Sequence, residues 1–282
     1  MENETRLQSV PNTPENTSLP RAKGEVRLST KLHSNKTVIC KLRQSGSLRC
    51  LFPRTDQRQL QAVLLNCAGG MTGGDRYDLN AEVKEGTTLT ISTQAAEKIY
   101  RAPYGQSAQV NSHIRVEQHA HLYWLPQETI LFEDSALERS LNIRIAKTST
   151  LLLTESLVFG RLEMGESIRS SRLSDRVDIR RGGVPLFLDI VKFSGDVASQ
   201  LDRLAVASSA RVVTSLLYVG RDAALRQPRL LELLPKKAGI SQLEEEVLVL
   251  RMLSQDTNLM RSTLIPILDF LSNKSLPQCW NL

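Results

Sequence analysis

The sequence is poor in the residue types that most often announce a chemistry. It has four histidines and four cysteines in 282 residues, and aromatics make up only 5%. Cys40, Cys50, Cys67 and Cys279 lie far apart and form no CxxC pair, which removes a zinc knuckle and a disulfide framework. They read as reduced thiols. There is no GxSxG elbow, no HExxH and no cysteine beside a histidine, so the usual hydrolytic arrangements are missing. No uncharged apolar run is long enough to cross a bilayer. The opening residues, MENETRLQSVPNTPENTSLP, contain no apolar signal core, so the expected location is cytoplasmic. Scarce aromatics also argue against a surface that stacks single-stranded nucleic acid. The net charge is +6, but the 36 basic residues are interleaved with acids. That balance permits an acidic partner without requiring one.

What is present is strand texture. Residues 1–23 are polar and proline-bearing and read as a disordered tail, unable to bury enough surface to offset its ordering entropy. Beyond them come short β-rich runs cut by Gly, Pro, Ser and Asp: TVICKL, AVLLN, DLNAEV, TTLTIST, SHIRVEQ, HLYWL, ETILF, LNIRIA, TLLLTESLVF, VPLFLDIV and ARVVTSLLYVG. Period-two alternation is clear in DLNAEV and LNIRIA. Many short strands at steady spacing predict a sandwich, a barrel or a helical coil of strands. A faint echo starts at residues 86, 119 and 148, with apolar strands around Leu89, Leu122 and Leu151. Stacked strand coils repeat at such a period. After residue 220, DAALRQPRLLELL reads as a helix capped by Asp222, with Pro228 kinking or shortening it. DTNLMRSTLIPILDFLSN reads as a second helix, capped by Asp256. SQLEEEVLVLRMLSQ is ambiguous: Ser241 and Glu244 have capping-box spacing, yet VLVLRML suits a buried strand equally.

The stretch LNCAGGMTGGDRYDLNAEV, residues 65–83, invites a phosphate-loop reading and fails it. A phosphate loop needs Lys and then Ser or Thr after its glycines, whereas Gly73 and Gly74 are followed by Asp75 and Arg76. The spacing of Gly69, Gly70, Gly73 and Gly74 also differs from GxGxxG. A tight turn needing positive φ accounts for the glycines. His119 and His121 are spaced to share a strand face with Glu117, a row that either binds a transition metal or forms a solvated edge. Glu128 and Glu155 sit inside apolar stretches; each either is buried, where a carboxylate needs a partner, or points outward from its strand.

Several of these segments together resemble one family. NCAGGMTGGDRYDLNAEV, TQAAEKIYR, WLPQETILFEDS, LTESLVFGRLEMGE and DIRRGGVPLFLD are similar, in order and spacing, to signature blocks of the urease accessory protein UreD family, also called UreH. The closing VLVLRMLSQD to LPQCW matches too, so the resemblance covers 24–282 and implies a single domain there. It implies a mainly-β scaffold of helically wound, β-helix-like strands with two helices, and it favours the strand reading of VLVLRML. It implies a protein that catalyses nothing, binds apo-urease and UreF, and reaches the GTPase UreG through UreF in a dimer of heteromers. Nucleic acid and membrane have no part in it. GTP belongs to UreG, and nickel is expected to pass through an internal channel to the urease active site. Weak carboxylate and water ligands suit a metal that must be released. On that basis Asp75, Glu128, Glu155 and Glu166 are expected along the nickel path. Gly69, Gly70, Gly73, Gly74, Asp75, Arg76 and Arg161 are expected to shape a turn or interface. Pairing of the acids with Arg76 or Arg161 is the structural alternative. Cys67 and the His119–His121 pair receive no role from the resemblance. A hydrolase or transferase, and a general scaffold for an acidic partner without metal transfer, are the rival classes. The last predicts steeply salt-sensitive binding.

Overall fold

The computed structural model describes residues 20–55, 57–161 and 164–281. The tail expected over 1–23 lies outside them up to residue 19, and Lys23 already begins the first strand. In chain order the strands are β1 Lys23–His33, β2 Lys36–Gly46, β3 Leu48–Leu51, β4 Leu60–Asn66, β5 Arg76–Val83, β6 Thr88–Thr93, β7 Glu97–Ile99, β8 Ala108–Val116, β9 His121–Trp124, β10 Thr129–Leu131, β11 Ala136–Ile145, β12 Thr150–Phe159, β13 Ser171–Arg181 and β14 Val184–Gly195. Then follow α1 Val197–Asp202, β15 Val212–Val219, α2 Ala223–Leu233, β16 Ala238–Glu244, β17 Val247–Ser254 and α3 Thr257–Leu271.

The chain winds as a solenoid. Each turn lays one strand in a first sheet, the next in a second, and, in two of the turns, a short strand on a third side. Thus β5, β8, β11 and β13 run parallel in one sheet, β4, β6, β9 and β12 in the other, and β7 and β10 close the side between them. The echo in the sequence is this repeat. Leu89 pairs with Leu122, and Leu122 with Leu151, so the three stand side by side in register. All three are fully buried.

Two apolar layers result. One fills the space between the sheets, with Leu79, Leu89, Leu122, Ile143 and Leu153 among its members. The other packs α2 and α3 onto the far face of the second sheet through Leu230, Met260, Leu264, Leu268, Leu152 and Leu250. Strand β12 lies between both layers and is buried on both faces, hence its apolar ends, Leu151–Leu153 and Leu157–Phe159, around a buried Thr154-Glu155-Ser156. VLVLRML is strand β17 in a hairpin with β16, which carries Ser241 and Glu244; no capping box forms there.

Three details differ from expectation. A third helix, α1, precedes the expected two, with the Asp196 side chain accepting from the Ser199 amide at 3.0 Å. Asp256 caps α3 as expected, accepting from the Leu259 amide at 2.7 Å. Asp222 stands at the start of α2, but its carboxylate instead takes the Tyr218 hydroxyl and the Arg226 guanidinium, both at 2.6 Å. Helix α2 runs across Pro228 without breaking. No helix among the described residues is long and apolar enough to cross a membrane.

Candidate functional site

The inward faces of three strands are apolar rows, each interrupted by one charge. On β11 the row is Leu137, Arg139, Leu141, Ile143; on β12 it is Leu151, Leu153, Glu155, Leu157; on β13 it is Leu173, Asp175, Val177, Ile179. The winding brings these charges together between the sheets. Arg139 and Asp175 are register partners, joined by Nε to Oδ1 at 2.8 Å and Nη2 to Oδ2 at 2.6 Å. Nη1 of Arg139 reaches Glu155 Oε2 at 2.7 Å, and the Trp124 indole donates to Glu155 Oε1 at 2.7 Å. The three charged side chains are only 6–12% exposed.

Two carboxyl groups share one guanidinium, so ionisation of both leaves one negative charge in excess in a medium that penalises it. Burial pushes the Glu155 carboxyl up, while Arg139 pulls it down and Asp175 adds to the rise. Burial opposes the charge on Arg139, but Asp175 and Glu155 outweigh it and hold the guanidinium protonated. The cluster can therefore hold a proton or accept a further cation.

Glu155 forms part of the wall of two interior cavities. The larger, of about 90 Å³, is also lined by Asn66, Tyr77, Glu97, Trp124, Thr129 and Arg139. The smaller, of about 20 Å³, adds Asp175, Asp189 and Leu217. By volume the first has room for several waters and the second for about one. From β4 to β15 this line crosses four strand spacings, roughly 19 Å. At the first end, burial raises Glu97, opposed by hydrogen bonds from Asn66 and the Lys98 amide. At the other, Asp189 pairs with Arg251 at 2.6 Å, where the arginine is 44% exposed.

The glycine stretch folds at the first end of this line. Asn66 holds it, donating to Gly70 O and to Glu97 Oε1 at 3.0 Å each, while the Tyr77 hydroxyl donates to Asn66 Oδ1 at 3.0 Å. Gly69, Gly70 and Gly74 have positive φ, as a tight turn demands. Gly73 packs so closely that a Cβ there would lie 2.9 Å from the Gln106 Cβ. Asp75 serves the same turn: its carboxylate accepts from the Ala22 and Thr72 amides at 2.8 Å each, tying the approach to β1 onto the loop. Arg76 pairs with Asp78 at 3.0 Å rather than with Asp75. Cys67 is exposed beside the turn.

The other expected acids stand elsewhere. Glu128 meets Arg261 of α3 at 3.3 Å, and Arg261 also donates to Gln127 and to the Trp280 carbonyl. Glu166 accepts from the Arg161 side chain at 3.0 Å and its amide at 2.9 Å. Arg161 also lies over the Phe132 ring, 5.0 Å from its centroid. Neither acid, nor Asp75, lines the two cavities. His119 and His121 form no row with Glu117, because residues 117–120 are the turn between β8 and β9 and His119 has a φ of 57°. Among the described residues no three His, Cys, Asp or Glu side chains are grouped to hold a metal ion. Arg139, Asp175 and Glu97 were missed in the sequence; the one available signal is a lone charge at an inward position of an alternating strand.

The fold and site define a β-solenoid with a charged, cavity-lined interior and a helical layer on one face. A family model described as UreD urease accessory protein matches residues 22–281. Curated proteins named urease accessory protein UreD are similar along nearly the whole chain. That of Ruegeria pomeroyi is 44% identical over 91% of this chain and 100% of its own length. Those of Roseobacter denitrificans and Rhodopseudomonas palustris are 43% and 40% identical, covering 93% and 92% of this chain and 96% and 94% of their own. The chain belongs to the UreD family of urease accessory proteins.

Proposed function

We propose that this chain is a cytoplasmic, non-enzymatic scaffold of urease maturation that passes nickel along its interior. In this reading it binds apo-urease and UreF, reaches UreG through UreF in a dimer of heteromers, and leaves GTP to UreG. The supporting observation is the buried charged line in a chain of this family. A solenoid core gains stability from apolar rows, and an excess negative charge within it is costly. Such a charge is accounted for if a cation uses the site. Nickel accepts carboxylate and water ligands, and the absence of a closed ligand set among the described residues suits a cargo that must move on.

Of the four acids expected on the path, Glu155 is kept there, joined by Glu97, Asp175 and Asp189. Asp75, Glu128 and Glu166 are assigned to holding the turn, the C-terminal helix and the Arg161 loop. The test is co-expression with the cognate UreF and UreG, recovery on an affinity tag, and activation of apo-urease with nickel and GTP. A stable complex with chain-dependent activation is expected. A complex that forms without activating anything removes the metal route and leaves a plain scaffold. Absence of any complex overturns the reading.

A further inference from the structure

The outer face of the first sheet carries like charges in direct register. Arg27 of β1 faces Arg43 of β2; Arg115 of β8 faces Arg144 of β11; Arg144 in turn faces Arg180 of β13. Facing strands are about 4.8 Å apart, and like charges set opposite each other there destabilise a sheet. The first two pairs bound a surface groove of about 750 Å³. Lys41 adds a further cation, and the only acid in the lining is Glu82, which is already paired with Lys84 at 2.8 Å. Among the described residues Lys41, Arg43, Arg115 and Arg144 make no ion pair. Beside these cations runs a polar row, Asn80, His113 and Asn142, in register with Arg27.

We propose that this groove binds an extended, carboxylate-rich segment of a protein partner. Arg27 is paired with Glu25 and Arg115 stands in register with Glu82, but among the described residues Lys41, Arg43, Arg115 and Arg144 make no ion pair, across a span from β2 to β11 of roughly 19 Å. A single phosphate is too small to meet both ends. An extended segment of about six residues covers it, with alternate acidic side chains about 7 Å apart. Asn80, His113 and Asn142 then offer hydrogen bonds to the segment between its acids. No Phe, Tyr or Trp lines the groove among the described residues, so a single strand would lack the usual row of rings on which its bases stack. The proposal is independent of the nickel route, since none of these residues lines the interior cavities.

The test is fluorescence anisotropy of a labelled oligo-glutamate peptide with the full chain at low salt. Binding is expected to weaken about tenfold or more on raising the salt to near-physiological strength. The Arg115→Glu/Arg144→Glu variant should lose about tenfold or more in affinity. An Arg229→Glu/Lys236→Glu control, with the same change in net charge on the helical side, should retain it. Arg144→Gln relieves two like-charge contacts, so it should melt no lower than the parent while still binding the peptide more weakly. Equal loss in the groove and control variants, or no peptide binding at all, overturns the proposal. Tighter capture of a thymidylate oligomer or of anionic phospholipid vesicles than of the peptide overturns the assigned occupant.

Discussion

Arg139 of β11 and Glu155 of β12 meet at 2.7 Å across the space between the sheets, and Asp175 holds the same guanidinium from the other side. The two partners are not equivalent. Removing Arg139 leaves two carboxylates buried without their cation, so Arg139→Met should destabilise the chain by about 3–5 kcal/mol. Glu155→Gln removes the excess charge and gives up one acceptor, for a loss of about 1–2 kcal/mol. Urea unfolding of both variants checks the order; equal losses would contradict the charge count.

Glu97 supplies a pH signature. Burial raises its carboxyl, with Asn66 and the Lys98 amide opposing. Between the ordinary glutamate value and the raised one, the folded chain holds a proton that the unfolded chain has released. Stability contributed by this group therefore falls as pH rises through that window. Melting temperatures across the window should decline more steeply in the parent than in Glu97→Gln. Parallel curves would show that the group is not buried as described.

Asp75 distinguishes a framework acid from a metal ligand. Asp75→Ala leaves the Ala22 and Thr72 amides without their acceptor, a loss of about 2–4 kcal/mol. Urea unfolding should show that loss, and nickel binding by the folded variant should be unaltered. Weakened nickel binding at unchanged stability would return Asp75 to the metal path.

The glycine turn makes a graded prediction. At Gly69 the φ is +78° with no atom within 4 Å of an added Cβ, so Gly69→Ala costs only the backbone term, about 1 kcal/mol. At Gly70 the φ is +148° and the added Cβ would lie 2.3 Å from Tyr100 Cε2 and 2.9 Å from the Lys98 carbonyl. Gly70→Ala should cost about 2–3 kcal/mol or more. Thermal unfolding of the pair reads the difference, and a larger effect at Gly69 would overturn the placement of the turn.

The strands were legible because inward apolar positions alternate, as in Leu79, Ala81 and Val83 of β5. The winding was legible only as the spacing of Leu89, Leu122 and Leu151, since strand spacing does not say whether coils stack or a barrel closes. The site was half legible. Glu155 stands out because it is the one charge in a strand flanked by apolar runs, Leu151–Leu153 and Leu157–Phe159. Arg139 and Asp175 do not, because Arg144 and Asp178 on the same strands look alike in sequence and point outward. Only register decides which charge is buried, and Arg139 meets Asp175 across 36 residues. Local signals failed where tertiary partners competed: Asp222 spells a cap and is taken by Tyr218 and Arg226. His119 and His121 spell a strand face and fall at a turn, whose left-handed residue the spacing does not reveal.

On the proposed route the buried acids around Glu155 carry the nickel. The direct measurement is activation of apo-urease by the reconstituted complex with UreF, UreG, GTP and nickel, using Glu155→Gln beside the parent. Complex assembly and the melting temperature of each chain are recorded in the same preparation. The variant is expected to assemble normally, with activation lower by about tenfold or more. Full activation by a folded, assembled Glu155→Gln complex would contradict that route, and the charged line would then be only a feature of the scaffold.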